Sequence, residues 1–127
     1  MTENEVAKRV VDAAYRIHTA VGPGLLESAY QAILAYELQK DGMKVDQQVL
    51  VSIRHESLFV PDAFRADMIV EDLVIIELKS VEQASPLHKK QLLTYLKLAN
   101  KRLGLLLNFG APLIRDGIHR IANGLTE

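Results

Sequence analysis

Apolar residues recur at helical spacing in the first third of the chain. Positions 4–20 and 25–40 carry this spacing, which predicts two helices. The run Val21-Gly22-Pro23-Gly24 separates them because glycine and proline interrupt helical backbone, and Asp41-Gly42 ends the second helix. The chain therefore begins with two consecutive helices.

The pattern changes to extended apolar runs after residue 46. It predicts strands over 47–53, 64–70, 73–79 and 103–109, a turn over 54–57, and a short strand near 118–121. A third helix is predicted from Pro86 to about Asn100, because Ser85 can cap it and proline is favoured at the first helical position. This order predicts one α/β (α+β mixed) domain over 1–127, with a mixed central sheet.

The two strands over 64–70 and 73–79 constrain each other's register. Each strand has alternate apolar positions that should face the core. A two-residue turn would place these positions on opposite sides of the sheet, so we predict a three-residue loop or a bulge near residues 71–73. Asp67 then lies opposite or nearly opposite Glu77. The predicted core-facing residues are Ala66, Met68, Val70, Val74, Ile76 and Leu78.

Asp67, Glu77 and Lys79 share the other face of this strand pair. Facing residues on neighbouring strands have Cβ atoms roughly 4.5–5.5 Å apart. Two carboxylates at that separation repel each other unless a cation lies between them. Oxygen ligands favour a hard divalent ion, Mg²⁺ or Mn²⁺. The alternative is a structural ion cluster of the three side chains at a sheet edge.

Composition limits the function classes. The chain has 127 residues, 49% hydrophobic and 24% charged, and a net charge of -1, as in an ordinary globular domain. It has no cysteine, which excludes disulfides and thiolate metal sites and is compatible with a reducing compartment. The chain has no run of about 18 apolar residues, so no membrane span is expected. The first residues lack signal-peptide features, so a cytoplasmic location is expected.

The combination of these residues resembles a known family. An Asp in one strand followed by Glu-x-Lys in the next resembles the signature of the PD-(D/E)XK nuclease superfamily. The predicted order resembles its restriction-endonuclease-like core, helix–three strands–helix–strand, with an extra N-terminal helix. Gly24-Leu25-Leu26-Glu27-Ser28-Ala29-Tyr30 resembles the motif of the GxxExxY protein family. The resemblance extends from about residue 10 to about residue 121.

The resemblance implies a role for each matching residue. Asp67 and Glu77 would be metal ligands, with the backbone carbonyl of Leu78 as a further ligand, and Lys79 would be the catalytic lysine. Glu27 resembles a glutamate that RecB-like nucleases add to the site, where it would bind metal or orient its ligands. The literal Pro-Asp pair, Pro61-Asp62, is expected to precede the strand, so Asp67 is taken as the ligand.

Gln91 and Tyr95 resemble the Gln-x-x-x-Tyr motif of the same nucleases, and their spacing places them on one helical face. The implied reaction is phosphodiester hydrolysis with Mg²⁺ or Mn²⁺ as cofactor. The implied partner is nucleic acid, DNA rather than RNA, and a chain this short suggests a homodimer or another partner to grip it.

Other interpretations stay open at this point. Glu27 could have only a structural role, in which its carboxylate interacts favourably with the dipole of its helix. It shares a helical face with Leu34 and Leu38, however, and should point inward. Gln91 and Tyr95 could be a buried polar pair. The whole chain could be a non-catalytic binding module or an enzyme acting on small phosphate compounds. One group of cations could be a solvated helix face or a patch for a phosphate backbone: Lys89, Lys90, Lys97, Lys101 and Arg102.

Overall fold

The computed structural model describes residues 1–125. The predicted order of helices and strands is confirmed, and a one-turn helix that the sequence pattern did not predict precedes the last strand. No helix among these residues is both long and apolar enough to cross a membrane. The elements are α1 (Glu3–Val21), α2 (Glu27–Lys40), β1 (Val45–His55), β2 (Leu58–Val70), β3 (Val74–Lys79), α3 (Pro86–Ala99), β4 (Leu103–Asn108), α4 (Ile114–Gly117) and β5 (Ile118–Ala122).

The five strands form one sheet in the order β1-β2-β3-β4-β5. Neighbouring strands are antiparallel except β3 and β4, which are parallel. A parallel pair needs a long crossover connection, and α3 supplies it. The predicted mixed sheet is therefore correct.

Helices cover both faces of the sheet. α1 and α2 pack on one face and form the larger apolar cluster with Tyr30 and Leu34 among its buried residues. α3 packs on the other face through Leu92 and Leu96. Leu92 lies over Gly104 of β4, where an added Cβ would come within 3.0 Å of the leucine side chain. The two central strands are consequently buried on both sides, which explains their continuous apolar runs.

The β2–β3 hairpin has the predicted loop. Met68 pairs with Ile76 and Val70 with Val74, which leaves three residues, 71–73, in the turn. Two of these, Glu71 and Asp72, adopt left-handed backbone angles with φ of 54° and 56°. Regular pairing ends at Met68 and Ile76, and the next residues along the two strands are Asp67 and Glu77.

Two expectations about β2 were wrong. Ala66 is buried, but it packs in the α3-side cluster rather than with Met68 on the α1–α2 side. Pro61 and Asp62 lie inside β2 rather than before it. They occupy an irregularity in the β1–β2 pairing, where Asp62 has a φ of 50° and its N–H donates to Ser52 Oγ. The 54–57 turn is also shorter than expected, since β1 continues to His55.

Tyr30 shapes the turn that precedes α2. Its ring is fully buried and stacks on Phe109 with centroids 4.5 Å apart. Its hydroxyl donates to the Gly22 carbonyl and accepts the Leu25 N–H at 3.1 Å. One side chain thus fixes both ends of the glycine-rich connection between α1 and α2.

Replacing Tyr30 with phenylalanine should destabilise the protein by ~1–2 kcal/mol, because the ring stack stays while two partly buried hydrogen bonds to the backbone are lost. Urea unfolding followed by circular dichroism measures the change. Tyr36→Phe is the matched control, since the Tyr36 side chain is 63% exposed. Equal stability of the two variants would contradict the assigned role of the Tyr30 hydroxyl.

Candidate active site

Asp67 and Glu77 meet where the β2–β3 ladder opens. The Asp67 N–H donates to Glu77 Oε2 at 2.7 Å, and the Leu78 N–H donates to Asp67 Oδ2 at 2.9 Å. Each carboxylate therefore takes the hydrogen bond that a facing backbone carbonyl would otherwise accept. The two side chains are held in place by backbone groups of the opposite strand.

The electrostatics of Glu77 reflect this position. Glu77 is only 8% exposed, and burial together with the nearby Asp67 carboxylate raises its pKa to about 7. Glu27 raises it further, whereas the Asp67 N–H and the Lys79 ammonium act in the opposite direction. Negative charge is thus concentrated here beyond what the protein itself neutralises, which favours binding of a cation.

Lys79 is near these carboxylates without pairing with them. Its charge lowers the pKa of Glu77, yet no ion pair within 4.0 Å joins Lys79 to Asp67 or Glu77 in the part of the chain that the structure describes. The three side chains consequently do not form the closed ion cluster considered as the alternative. The lysine stays available for another negative group.

Glu27 reaches the site from α2, although not as expected. It is the first residue of the helix and is exposed rather than inward-pointing. Its Oε1 accepts the Ser80 N–H at 3.4 Å, and its charge raises the pKa of Glu77. The predicted proximity is present, but the carboxylate lies at the rim.

Ser80 is a contributor that the sequence reasoning missed. Its Oγ donates to the Leu25 carbonyl at 2.6 Å while its N–H faces Glu27. Ser80 therefore joins the end of β3 to the turn held by Tyr30. The sequence feature that could have indicated its role is its position directly after Lys79.

The structure brings Tyr95 and Gln91 to the same region from α3. Tyr95 is half-buried and stacks on Phe64 of β2, with ring centroids 4.1 Å apart. Burial raises the pKa of Tyr95, the Glu77 and Asp67 charges raise it further, and a hydrogen bond with Gln91 partly offsets them. Gln91 is exposed, so the two residues are not a simple buried polar pair.

The donor set suits Mg²⁺ or Mn²⁺ held by few protein ligands. Within residues 1–125, no three histidine or carboxylate side chains cluster closely enough to hold a metal ion. Asp67 and Glu77 each use one oxygen for a backbone N–H, and no described residue donates to the other oxygen. Mg²⁺ in proteins commonly takes one or two carboxylates together with water and substrate phosphates.

Two of the predicted surface cations are engaged elsewhere. Lys101 pairs with Asp72 at 3.2 Å, and Arg102 pairs with Glu3 at 3.2 Å. Among the described residues, Lys89, Lys90 and Lys97 of α3 have no carboxylate partner. Of the five cations considered, those left for a basic patch all lie on α3.

The raised pKa of Glu77 predicts a pH-dependent stability without metal. Between its ordinary value of 4.5 and about 7, the folded protein binds more protons at Glu77 than the unfolded chain does. The free energy of unfolding should therefore fall as pH rises through this range, by up to ~3 kcal/mol from this group. Urea unfolding in EDTA at pH 4.5 to 8 measures the change.

Glu77→Gln should remove most of that dependence, and Glu56→Gln, in the exposed β1–β2 turn, should leave it unchanged. A Glu77→Gln profile that still falls like the wild type would show that another group causes the dependence.

Comparisons with known proteins bear on the fold and the family of the chain. A crystal structure described as that of SSO0001 matches with a TM-score of 0.56 and 24% sequence identity, which shows a shared fold. The match covers 79% of this chain and 52% of that chain, so this chain spans about half the length of its structural relative. The search of curated proteins finds no match.

The model of one family matches residues 4–121, nearly the whole chain. The narrower resemblance to GxxExxY proteins stays a prediction. The five-stranded mixed sheet flanked by helices is the restriction-endonuclease-like fold that the resemblance implied. The chain belongs to the PD-(D/E)XK nuclease superfamily.

Proposed function

We propose that the protein is a metal-dependent nuclease that hydrolyses phosphodiester bonds in nucleic acid. The observation that carries the proposal is the pair of Asp67 and Glu77 carboxylates, fixed by backbone amides at the open end of a strand pair. Lys79 is close to them and is not consumed by an ion pair. Two carboxylates with free oxygens and a lysine beside them suit a metal-assisted attack on phosphate.

Asp67 and Glu77 would hold Mg²⁺ or Mn²⁺ through their remaining oxygens. The Leu78 carbonyl suits a further ligand, because the N–H and C=O of a strand residue face the same neighbouring strand and the Leu78 N–H faces Asp67. Glu27 is placed to bind a second ion or to orient the ligands of the first. When bound, the metal lowers the pKa of a water molecule and polarises the phosphate.

The other residues act on charge and position. The Lys79 ammonium offsets negative charge that develops on the phosphate as it is attacked. Tyr95 is held by its stack on Phe64, and its raised pKa keeps the phenol protonated as a hydrogen-bond donor. Together with Gln91 it would position the substrate or the carboxylates from the α3 side.

A polymeric substrate is supported by the space beside the catalytic strand. A cavity of about 490 Å³ lies at Glu27 and Ser80, and one of about 620 Å³ lies beyond the end of β3 at Glu82 and Asn108. Ser80 follows Lys79 and Asn108 pairs with it, so both cavities adjoin the strand position of the lysine, which suits a substrate longer than one nucleotide. We propose DNA as the substrate to test first, with RNA beside it.

Glu77→Gln should abolish tight Mg²⁺ binding and lower the cleavage rate by on the order of 100-fold or more, since the centre loses a charged ligand. Lys79→Gln should keep metal binding and lose cleavage to a similar extent. Calorimetric titration with Mg²⁺ and Mn²⁺, paired with cleavage of single- and double-stranded DNA and RNA, measures both.

Lys8→Gln and Glu56→Gln are matched controls that change exposed surface charges away from the proposed centre. If the wild type binds neither ion and cleaves no nucleic acid, the proposal fails and a binding module on the same fold becomes the better interpretation.

Ser80→Ala removes the hydrogen bond from Ser80 Oγ to the Leu25 carbonyl, which holds the turn before Glu27 against the end of β3. It should lower kcat by roughly tenfold, because Glu27 is then less well positioned. KM and calorimetric Mg²⁺ binding at the Asp67–Glu77 pair should stay unchanged. Ser80→Thr keeps the hydroxyl and should restore kcat. Ser57→Ala, in the exposed β1–β2 turn, is the control for stability. A purely structural role would instead lower the melting temperature without the selective loss of kcat.

A further inference from the structure

The larger of these two cavities lies one strand away from the proposed catalytic lysine. Asn108 at its base is the Cα partner of Lys79 in the parallel β3–β4 pair. Neighbouring strands lie about 4.8 Å apart, and paired residues point to the same face. The cavity is therefore on the α3 side of the sheet, one strand away from Lys79. The residues that decide its chemistry are Glu82, Lys89, Asn108, Asp116 and His119.

Asn108 presents a hydrogen-bond donor to this cavity. The residue is only 2% exposed, and its Oδ1 accepts the Val81 and Gly110 N–H groups, each at 3.1 Å. Backbone N–H groups can only donate, so these two bonds fix the amide with its oxygen toward them and its NH₂ away from them. No described residue accepts from that NH₂.

The charges in the cavity disfavour a free phosphate as its ligand. Lys89 contributes one positive charge, whereas Glu82 and Asp116 contribute two negative charges. Burial and the neighbouring Lys89 lower the pKa of His119, which favours its neutral form at neutral pH. A neutral planar group with both donors and acceptors suits this lining better, since carboxylates accept from amino groups and Asn108 donates.

We propose that this cavity receives the base of the nucleotide next to the phosphate that is cleaved. Asn108 would donate to a ring nitrogen or carbonyl of the base, and Glu82 or Asp116 would accept from its amino group. The cavity of about 620 Å³ is within the size range of small-molecule sites, which gives room for one base and its sugar. This inference rests on the proposed nuclease function and specifies its substrate.

The consequence for the substrate is that one base must leave its stack. Unstacking is least unfavourable in single strands, at duplex ends and at mismatches. The protein should therefore prefer nucleic acid with an accessible single-stranded position over an intact duplex.

Abasic scanning tests the proposal directly. Single-stranded DNA oligonucleotides, each with one base replaced by an abasic sugar, are titrated with the wild-type protein in EDTA and followed by fluorescence anisotropy. One position should weaken binding by about tenfold, the effect of losing one base contact, while the others change little. The same oligonucleotides are then cleaved in Mg²⁺ to locate that position relative to the cut.

Asn108→Asp is the informative variant, because it keeps an oxygen for Val81 and Gly110 and replaces the donor with a second carboxylate oxygen, at the cost of one added negative charge. It should bind the intact oligonucleotide about tenfold more weakly and lose the positional effect. The double variant Glu82→Gln with Asp116→Asn changes exposed residues only, and should also reduce the positional effect. Lys8→Gln, on α1 with the lysine side chain 76% exposed, makes the same net charge change as Asn108→Asp outside the cavity, and should retain the effect.

The outcomes separate this proposal from the nuclease itself. Equal binding at all positions, no binding to any oligonucleotide, or a positional effect that persists in both cavity variants would overturn the base site. Cleavage without a positional effect would leave the nuclease function standing alone. A positional effect without cleavage in any metal would support the base site and remove the catalytic function.

Discussion

The arrangement of the proposed active site depends on the point where β2 and β3 stop pairing as backbone. Beyond Met68 and Ile76, the carboxylates of Glu77 and Asp67 accept the N–H groups that the ladder leaves open. This exchange both ends the strand pair without unsatisfied amides and fixes two acidic groups side by side. Burial of Glu77 beside the Asp67 carboxylate raises the pKa of Glu77, so the position that these bonds impose on the two groups also favours a cation between them.

A second set of contacts ties the beginning of α2 to this point. Phe109 supports the Tyr30 ring, Tyr30 holds Leu25, and Leu25 accepts from Ser80 next to Lys79. The motif over residues 24–30 thus does more than start a helix. It brings Glu27 to the rim of the carboxylate pair, which accounts for the glutamate and the tyrosine in one short segment.

The sequence was most informative where burial and register restrict each other. Apolar alternation over 64–79 was enough to predict the three-residue loop and the facing of Asp67 and Glu77, because a one-residue slip would turn the apolar face of a strand into solvent. The same reasoning failed for Ala66, since the strands diverge at Asp67 and a period of two cannot register that divergence. It also placed Pro61 and Asp62 outside β2, because an irregular strand with a positive φ has no clear alternation. Helical spacing predicted that Glu27 points inward with Leu34 and Leu38. Glu27 is the first residue of α2, however, and its side chain extends past the end of the helix.

The parallel pairing of β3 with β4 has a consequence for how the site comes into existence. Such a pair forms only after the intervening segment has folded back as α3, so its contacts are distant in sequence and expected to appear late in folding. The register of Lys79 with Asn108, and the stack of Tyr95 on Phe64, belong to this late stage. A partly folded chain, such as one still being synthesised, would lack an assembled centre, which would delay any nuclease activity until the domain is complete.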